Sequence, residues 1–200
     1  IGAKKEIPNL PKKIALVTSA TSAALQDMLK VVRSRWRLSE IYIFDALTQG
    51  ESAPSSLIKA LRRADKYGVD VIVLARGGGS KEDLWCFNDE GLAREIYATK
   101  TPVISAIGHE IDYVISDFVA DRRSLTPSAA MLDLLPDEEA FFQYLDRLSD
   151  DLDSVLNLKI TKKQNLLNLL LSKFSSNALK ARIELKFSEV ANKQNALTNV

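Results

Sequence analysis

Four short apolar runs punctuate the first half of the chain: Ile14–Thr18, Glu40–Leu47, Val69–Ala75 and Thr101–Ile107. Each is rich in valine, isoleucine or alanine. Val69 to Ala75 is nearly continuous, as strands are when a parallel sheet is buried on both faces. Between the runs the pattern changes to a spacing of three and four. Leu25, Met28, Leu29, Val32 and Trp36 place a helix over about Ala23 to Trp36, with Ser19–Ser22 offering hydroxyl caps. Leu57, Ile58 and Leu61 place another over Pro54–Tyr67, closed by Gly68. Ser80–Thr99 reads as one helix or a broken pair, with Ser80 and Asp83 spaced as in a capping box. His109–Asp117 reads as a further helix, and Thr126 with Pro127 as the start of the next. Strands alternating with helices predict an α/β fold, a parallel Rossmann-like sheet with helices on its faces.

Beyond Pro136 the texture is different. Neither Gly nor Pro occurs through Val200. Phe141, Leu145, Leu148, Leu152 and Val155 repeat at 4-3-4-3, and Leu167, Leu170, Phe174, Ala178, Ala181 and Leu185 resume a similar pattern after Lys159, Lys162 and Lys163. A long helix with a heptad-like seam seeks another helix, as in a coiled coil. The expected organisation is therefore a linker over 1–13, marked by Pro8 and Pro11, an α/β domain over 14–136, and a helical arm over 137–200.

The chemistry gathers where strands end. Arg76-Gly77-Gly78-Gly79-Ser80 follows the Val69–Ala75 strand. Bare glycine backbone lets N–H groups close on an anion, and arginine adds a permanent charge. The competing explanation is a tight turn that needs glycine for its φ angles. The pattern is neither Gly-x-Gly-x-x-Gly nor a P-loop, which disfavours a standard dinucleotide or ATP site. The next strand ends at Gly108-His109, and His109, the only histidine, stands three residues before Asp112. In a parallel sheet both strand ends lie on one edge, so neighbouring strands would start Arg76 and His109 roughly 5 Å apart. That makes His109 a candidate general acid or base. Glu110 and Asp117 are weaker candidates, and zinc spacings are absent. Asp27, one turn into the first helix, reads on position alone as a surface residue. Arg122, Arg123 and the hydroxyls of Thr126 and Ser128 either reach a phosphate or simply start a helix. Trp85 and Phe87 either stack bases or fill the core.

Bulk properties narrow the partners. A net charge of +1 over 200 residues leaves no global basic field, so any nucleic-acid surface is local. The single cysteine, Cys86, excludes an internal disulfide and suits a reducing, cytoplasmic compartment. No apolar run approaches the ~20 residues of a membrane span. A chain that starts at Ile1 and ends at Val200 without a stop signal reads as a piece of a longer protein.

Taken together, Val73–Trp85, Phe87-Asn88, Pro102–Asp112, Asp117–Asp121 and Thr126–Ala130 resemble the large-subunit family of bacterial exodeoxyribonuclease VII, with the dense match over about Ile14 to Pro136. The resemblance implies an enzyme that hydrolyses single-stranded DNA from either end to short 5′-phosphorylated oligonucleotides. It implies a helical small subunit as partner, in several copies, and an N-terminal OB-fold that this chain lacks. It assigns catalytic roles to Asp27, Arg76, His109 and Asp112, with Gly77, Gly78, Gly79, Ser80, Thr126 and Ser128 holding substrate. It commits to no metal ligand; a divalent ion stays an open cofactor. The alternatives are a non-catalytic nucleotide-binding module carrying a partner-binding arm, and a helical scaffold anchored by the α/β unit.

Overall fold

The structure is a computed structural model that describes residues 4–78, 82–107, 113–174 and 176–198. Strand β1 (Lys13–Thr18) leads to α1 (Ala23–Arg35), whose first turn is capped by the Ser22 hydroxyl accepting the Leu25 N–H at 3.1 Å. Then come β2 (Glu40–Asp45), α2 (Ala53–Tyr67) and β3 (Val71–Ala75). Gly68 ends α2 at φ 79°, a left-handed cap that an L side chain resists. A 3-10 helix (Glu82–Asn88) and α3 (Glu90–Ala98) follow, so the stretch before Thr99 is a broken pair, with the Asp89 carboxylate capping α3. Next are β4 (Val103–Ala106), α4 (Ile115–Val119), the two-residue β5 (Arg122–Arg123) and α5 (Pro127–Leu134), capped by Thr126.

All five strands are parallel, in the order β2-β1-β3-β4-β5. Each central strand divides its side chains between two cores, which is why the runs are predominantly apolar. Ala15, Val17, Ile72, Leu74 and Val103 pack with Leu57, Leu61, Leu92 and Ile96 of α2 and α3. Ile14, Leu16, Val71, Val73, Ile104 and Ala106 pack on the other face with Leu25, Met28 and Val32 of α1 and Met131 and Leu134 of α5. Successive connections run to opposite sides of β1, so the sheet's switch point is the crevice past the carboxyl ends of β1 and β3. Open α/β sheets bind ligands at such points.

One expectation is corrected. Of the helix expected over His109–Asp117, residues 109–112 lie outside the described residues, while Tyr113 and Val114 are not helical and α4 begins at Ile115. The reason is Asp117: its buried carboxylate accepts the Val114 N–H at 3.2 Å and the Ser105 hydroxyl at 2.6 Å, which fixes the helix start against β4. Arg122 and Arg123 form the edge strand β5. Arg123 donates to Asp117 at 3.4 Å and stacks on Tyr113 at 4.0 Å from the ring centroid.

Contacts divide the chain into two units, Ile1–Phe141 and Phe142–Val200. In the first, residues 4–12 form no helix or strand, but Lys5 pairs with Asp121 at 3.0 Å and donates to the Thr99 carbonyl at 2.9 Å. Phe141, the first position of the expected seam, instead packs edge-on against Trp36 at 5.3 Å. Helix α6 (Glu138–Lys173) is 36 residues long and passes through Lys159, Lys162 and Lys163 without a break; α7 (Ser176–Thr198) follows. In the second unit every residue whose side chain is described is exposed, including Leu148, Leu152, Val155, Leu166, Leu170, Ile183 and Phe187. No helix among the described residues is long and apolar enough to cross a membrane.

Candidate active site

Strand β3 delivers Arg76 to the sheet's carboxyl edge, and the register Ala75↔Ala106 sets β4 directly beside it. The Arg76 N–H continues the ladder by donating to the Ala106 carbonyl at 3.1 Å. Backbone geometry therefore fixes the root of the arginine, while its guanidinium is buried, with 6 % of the side chain exposed. Burying a permanent cation requires partners. One is Asp83 of the 3-10 helix, 3.0 Å from Nη2. Nη1 is buried and finds no hydrogen-bond partner among the described residues. An unsatisfied buried donor costs about 1–3 kcal/mol, more when charged, so this nitrogen is set for an anion.

A cavity of about 230 Å³ opens at this point, at the switch point of the sheet. Its walls are Asp27 and the first turn of α1, Arg76 with Gly77 and Gly78, Ile107 just past β4, and Thr126, Pro127 and Ser128 at the start of α5. Two helix N-termini thus face one space, each contributing partial positive charge. Six candidates that lie far apart in sequence, Asp27, Arg76, Gly77, Gly78, Thr126 and Ser128, are brought together here. Gly79, Ser80, His109 and Asp112 lie outside the described residues. Ile107, two residues before His109, lines the cavity.

Individual geometries sharpen the roles. Asp27 is exposed at the rim and pairs with Lys30 one turn on at 3.2 Å, a weak surface pair. Thr126 Oγ1 accepts the Ala129 N–H at 3.1 Å and lies 3.2 Å from Ser128 Oγ, so cap and candidate ligand are one group. Gly77 does not have a positive φ, and a methyl built on it would meet Ala24 at an ordinary 3.6 Å. Turn geometry therefore does not require glycine at 77, and what its bare backbone provides is open space beside α1. Asp27 is the single acid among the described residues lining the cavity, and no group of three or more His, Cys, Asp or Glu among the described residues is placed to hold a metal.

Sequence reasoning did not single out Asp83 for the site. It read that residue as half of a capping box with Ser80, which lies outside the described residues; the structure pairs it with Arg76 across the glycine loop. The seven-residue separation carries no periodic signal, although an acid just beyond an arginine-glycine loop was the available hint. The same 3-10 helix buries Cys86, and that burial pushes its thiol up, partly opposed by the nearby Arg76 guanidinium. Cys86 thus packs as a small apolar residue.

Comparisons with known proteins show the family. The family model described as Exonuclease VII, large subunit, matches residues 2–200. A protein named Exodeoxyribonuclease 7 large subunit from Campylobacter fetus is 55 % identical over 197 residues, covering 98 % of this chain and 51 % of the relative. The protein of the same name from Campylobacter jejuni strain RM1221 is 53 % identical over 198 residues, with 98 % and 51 % covered. That from Sulfurimonas denitrificans is 48 % identical over 196 residues, with 98 % and 47 % covered. The chain spans about half the length of the curated relatives it matches. A parallel sheet carrying an arginine-glycine loop at its switch point, followed by a long exposed helix, is here the part of such a protein that this sequence encodes: the chain belongs to the exonuclease VII large-subunit family.

Proposed function

We propose that this chain carries the catalytic site of a nuclease that hydrolyses single-stranded DNA from either end to short 5′-phosphorylated oligonucleotides, in the cytoplasm. The observation that carries this reading is the buried Nη1 of Arg76, without a hydrogen-bond partner among the described residues, on a residue that lines a cavity edged by glycine backbone and two helix N-termini. A phosphodiester is the anion this geometry suits: compact, and able to take a guanidinium on one side and amides on another. Arg76 stabilises the charge that grows on the phosphoryl oxygens as water attacks phosphorus and the bond to the 3′-oxygen breaks. His109 moves a proton, taking it from the attacking water or giving it to the leaving 3′-oxygen. Asp112 orients His109, and Asp27 positions the water from the cavity rim. Gly79 and Ser80 extend the amide cradle begun by Gly77 and Gly78, and the hydroxyls of Thr126 and Ser128 hold a non-bridging oxygen.

The exposed apolar residues of α6 and α7 are the proposed seat of the small subunit, several copies of which would cover them. The test is Arg76→Ala and His109→Ala in the complete two-subunit enzyme, scored by loss of end-labelled single-stranded DNA. Removing one charge-stabilising group is expected to cost roughly 10²–10³ in rate. Folded variants that degrade DNA at the normal rate reject the assignment. Saturation by a mononucleotide without any loss of DNA in the normal enzyme would instead indicate a binding module.

A further inference from the structure

A second cavity, of about 520 Å³, lies beside the first and has no part in the chemistry above. Its origin is the 3-10 helix. With three residues per turn, side chains at i and i+3 eclipse. Leu84 and Phe87 consequently share the inner face, 8 % and 0 % exposed, whereas Trp85 and Asn88 share the outer one. Trp85 is 75 % exposed, and it and Asn88 line the cavity with Gly50 and Glu51 of the β2–α2 connection and Pro54 in the first turn of α2. The structure thus separates two aromatics that the sequence left equivalent: Phe87 is core, and Trp85 offers its indole to solvent.

Two observations say what this surface receives. Asp83 lines the cavity and is the residue paired with Arg76 at 3.0 Å, so the cavity adjoins the guanidinium and lies within reach of a nucleotide next to one whose phosphate sits on Arg76. The walls are acidic: besides Asp83 they include Glu51, Asp89, which caps α3 through the Leu92 N–H at 2.8 Å, and Glu90, which pairs with Arg94 at 2.7 Å. Such walls repel phosphate and accept an uncharged, flat group. We propose that Trp85 is a base-stacking platform, taking the nucleobase of the nucleotide next to the one whose phosphate lies against Arg76. Stacking is sequence-tolerant because every base has a π-face, which suits an enzyme that digests any strand. The proposal rests on the single-stranded DNA reading above.

The experiment uses the full-length protein with its small subunit. Oligothymidylate is the substrate, and an abasic oligomer with the same number of phosphates is a competitive inhibitor. Trp85→Ala is expected to raise KM for oligothymidylate by roughly 5- to 150-fold, the range measured for one lost base–aromatic stack. The inhibition constant of the abasic oligomer and kcat should stay as they were, and Trp85→Phe should recover part of the loss. In the unmodified enzyme, an oligonucleotide carrying 5-iododeoxyuridine should photocrosslink to the peptide containing Trp85, a readout that needs no variant to fold. An unchanged KM, an equal loss for the abasic oligomer, or crosslinks confined to other peptides overturns the stacking role while leaving the nuclease reading intact. An unmodified enzyme that digests no single-stranded DNA overturns both.

Discussion

Removing the carboxylate of Asp83 isolates what holds Arg76 in place. The guanidinium is 6 % exposed, and Asp83 is its one ion-pair partner among the described residues, at 3.0 Å. Breaking a fully buried pair costs about 3–5 kcal/mol because the surviving charge is stranded. Asp83 is itself 38 % exposed, so water reaches this pair and the cost falls to about 1–3 kcal/mol. For a unit of this size, Asp83→Ala should then lower Tm by roughly 3–10 °C. Inorganic phosphate is expected to restore more stability to the variant than to the parent, since it replaces the missing anion beside Arg76. Turnover of single-stranded DNA by the complete enzyme should drop roughly ten- to a hundred-fold, mostly in kcat, as the guanidinium loses its fixed aim. The assays are thermal melts with and without phosphate, and initial rates on a labelled oligonucleotide. A variant with the parent's Tm, phosphate response and kcat would refute the idea that Asp83 orients Arg76.

Other outcomes follow from the same geometry. Gly77→Ala should keep the parent's Tm, since its methyl meets Ala24 at 3.6 Å without backbone strain, yet lose DNA hydrolysis by crowding the cradle; Gly68→Ala, at φ 79°, should cost about 1–2 kcal/mol in urea unfolding and leave kcat alone. Asp117→Asn should destabilise by about 2–4 kcal/mol in the same assay, because Ser105, Val114 and Arg123 all direct donors at this buried carboxylate. Asp65 gives a pH-dependent test: burial alone would raise its carboxyl, but hydrogen bonds from the Thr101 amide and hydroxyl outweigh it and hold the group below the ordinary carboxylate range. Its folded pKa is therefore the lower one, so its contribution is present above about pH 4 and is lost as pH falls through the folded value. The Tm gap between parent and Asp65→Asn should be widest near neutrality and close in acid; a gap that does not change with pH contradicts this.

How much of this was legible in the sequence depended on whether the signal was local. Strands β1, β3 and β4 could be read because double-sided burial leaves runs dominated by apolar residues. Caps could be read because Ser22, Gly68 and Thr126 act within three residues of themselves. Asp27, Gly77 and Thr126 each looked ambiguous alone, and their convergence depends on strand order, which no residue spacing encodes. The start of α4 was misplaced because helical spacing continues upstream of Ile115, while the decision is made by Asp117 reaching back to Ser105 across the sheet edge. The two-residue β5 is too short to carry any periodicity. Trp85 and Phe87 look alike as letters, and only the 3-10 geometry of their helix sends one inward and the other out.

The central claim is that one phosphate is gripped by Arg76 beside the end of β4. Its most direct test is a crystal structure of the full-length enzyme with a phosphorothioate oligonucleotide that resists cleavage. The account predicts a phosphoryl oxygen at hydrogen-bond distance from Arg76 Nη1, with the His109 ring on the same phosphate. DNA bound with its phosphates away from Arg76, or with His109 and Arg76 contacting different parts of the molecule, would contradict it.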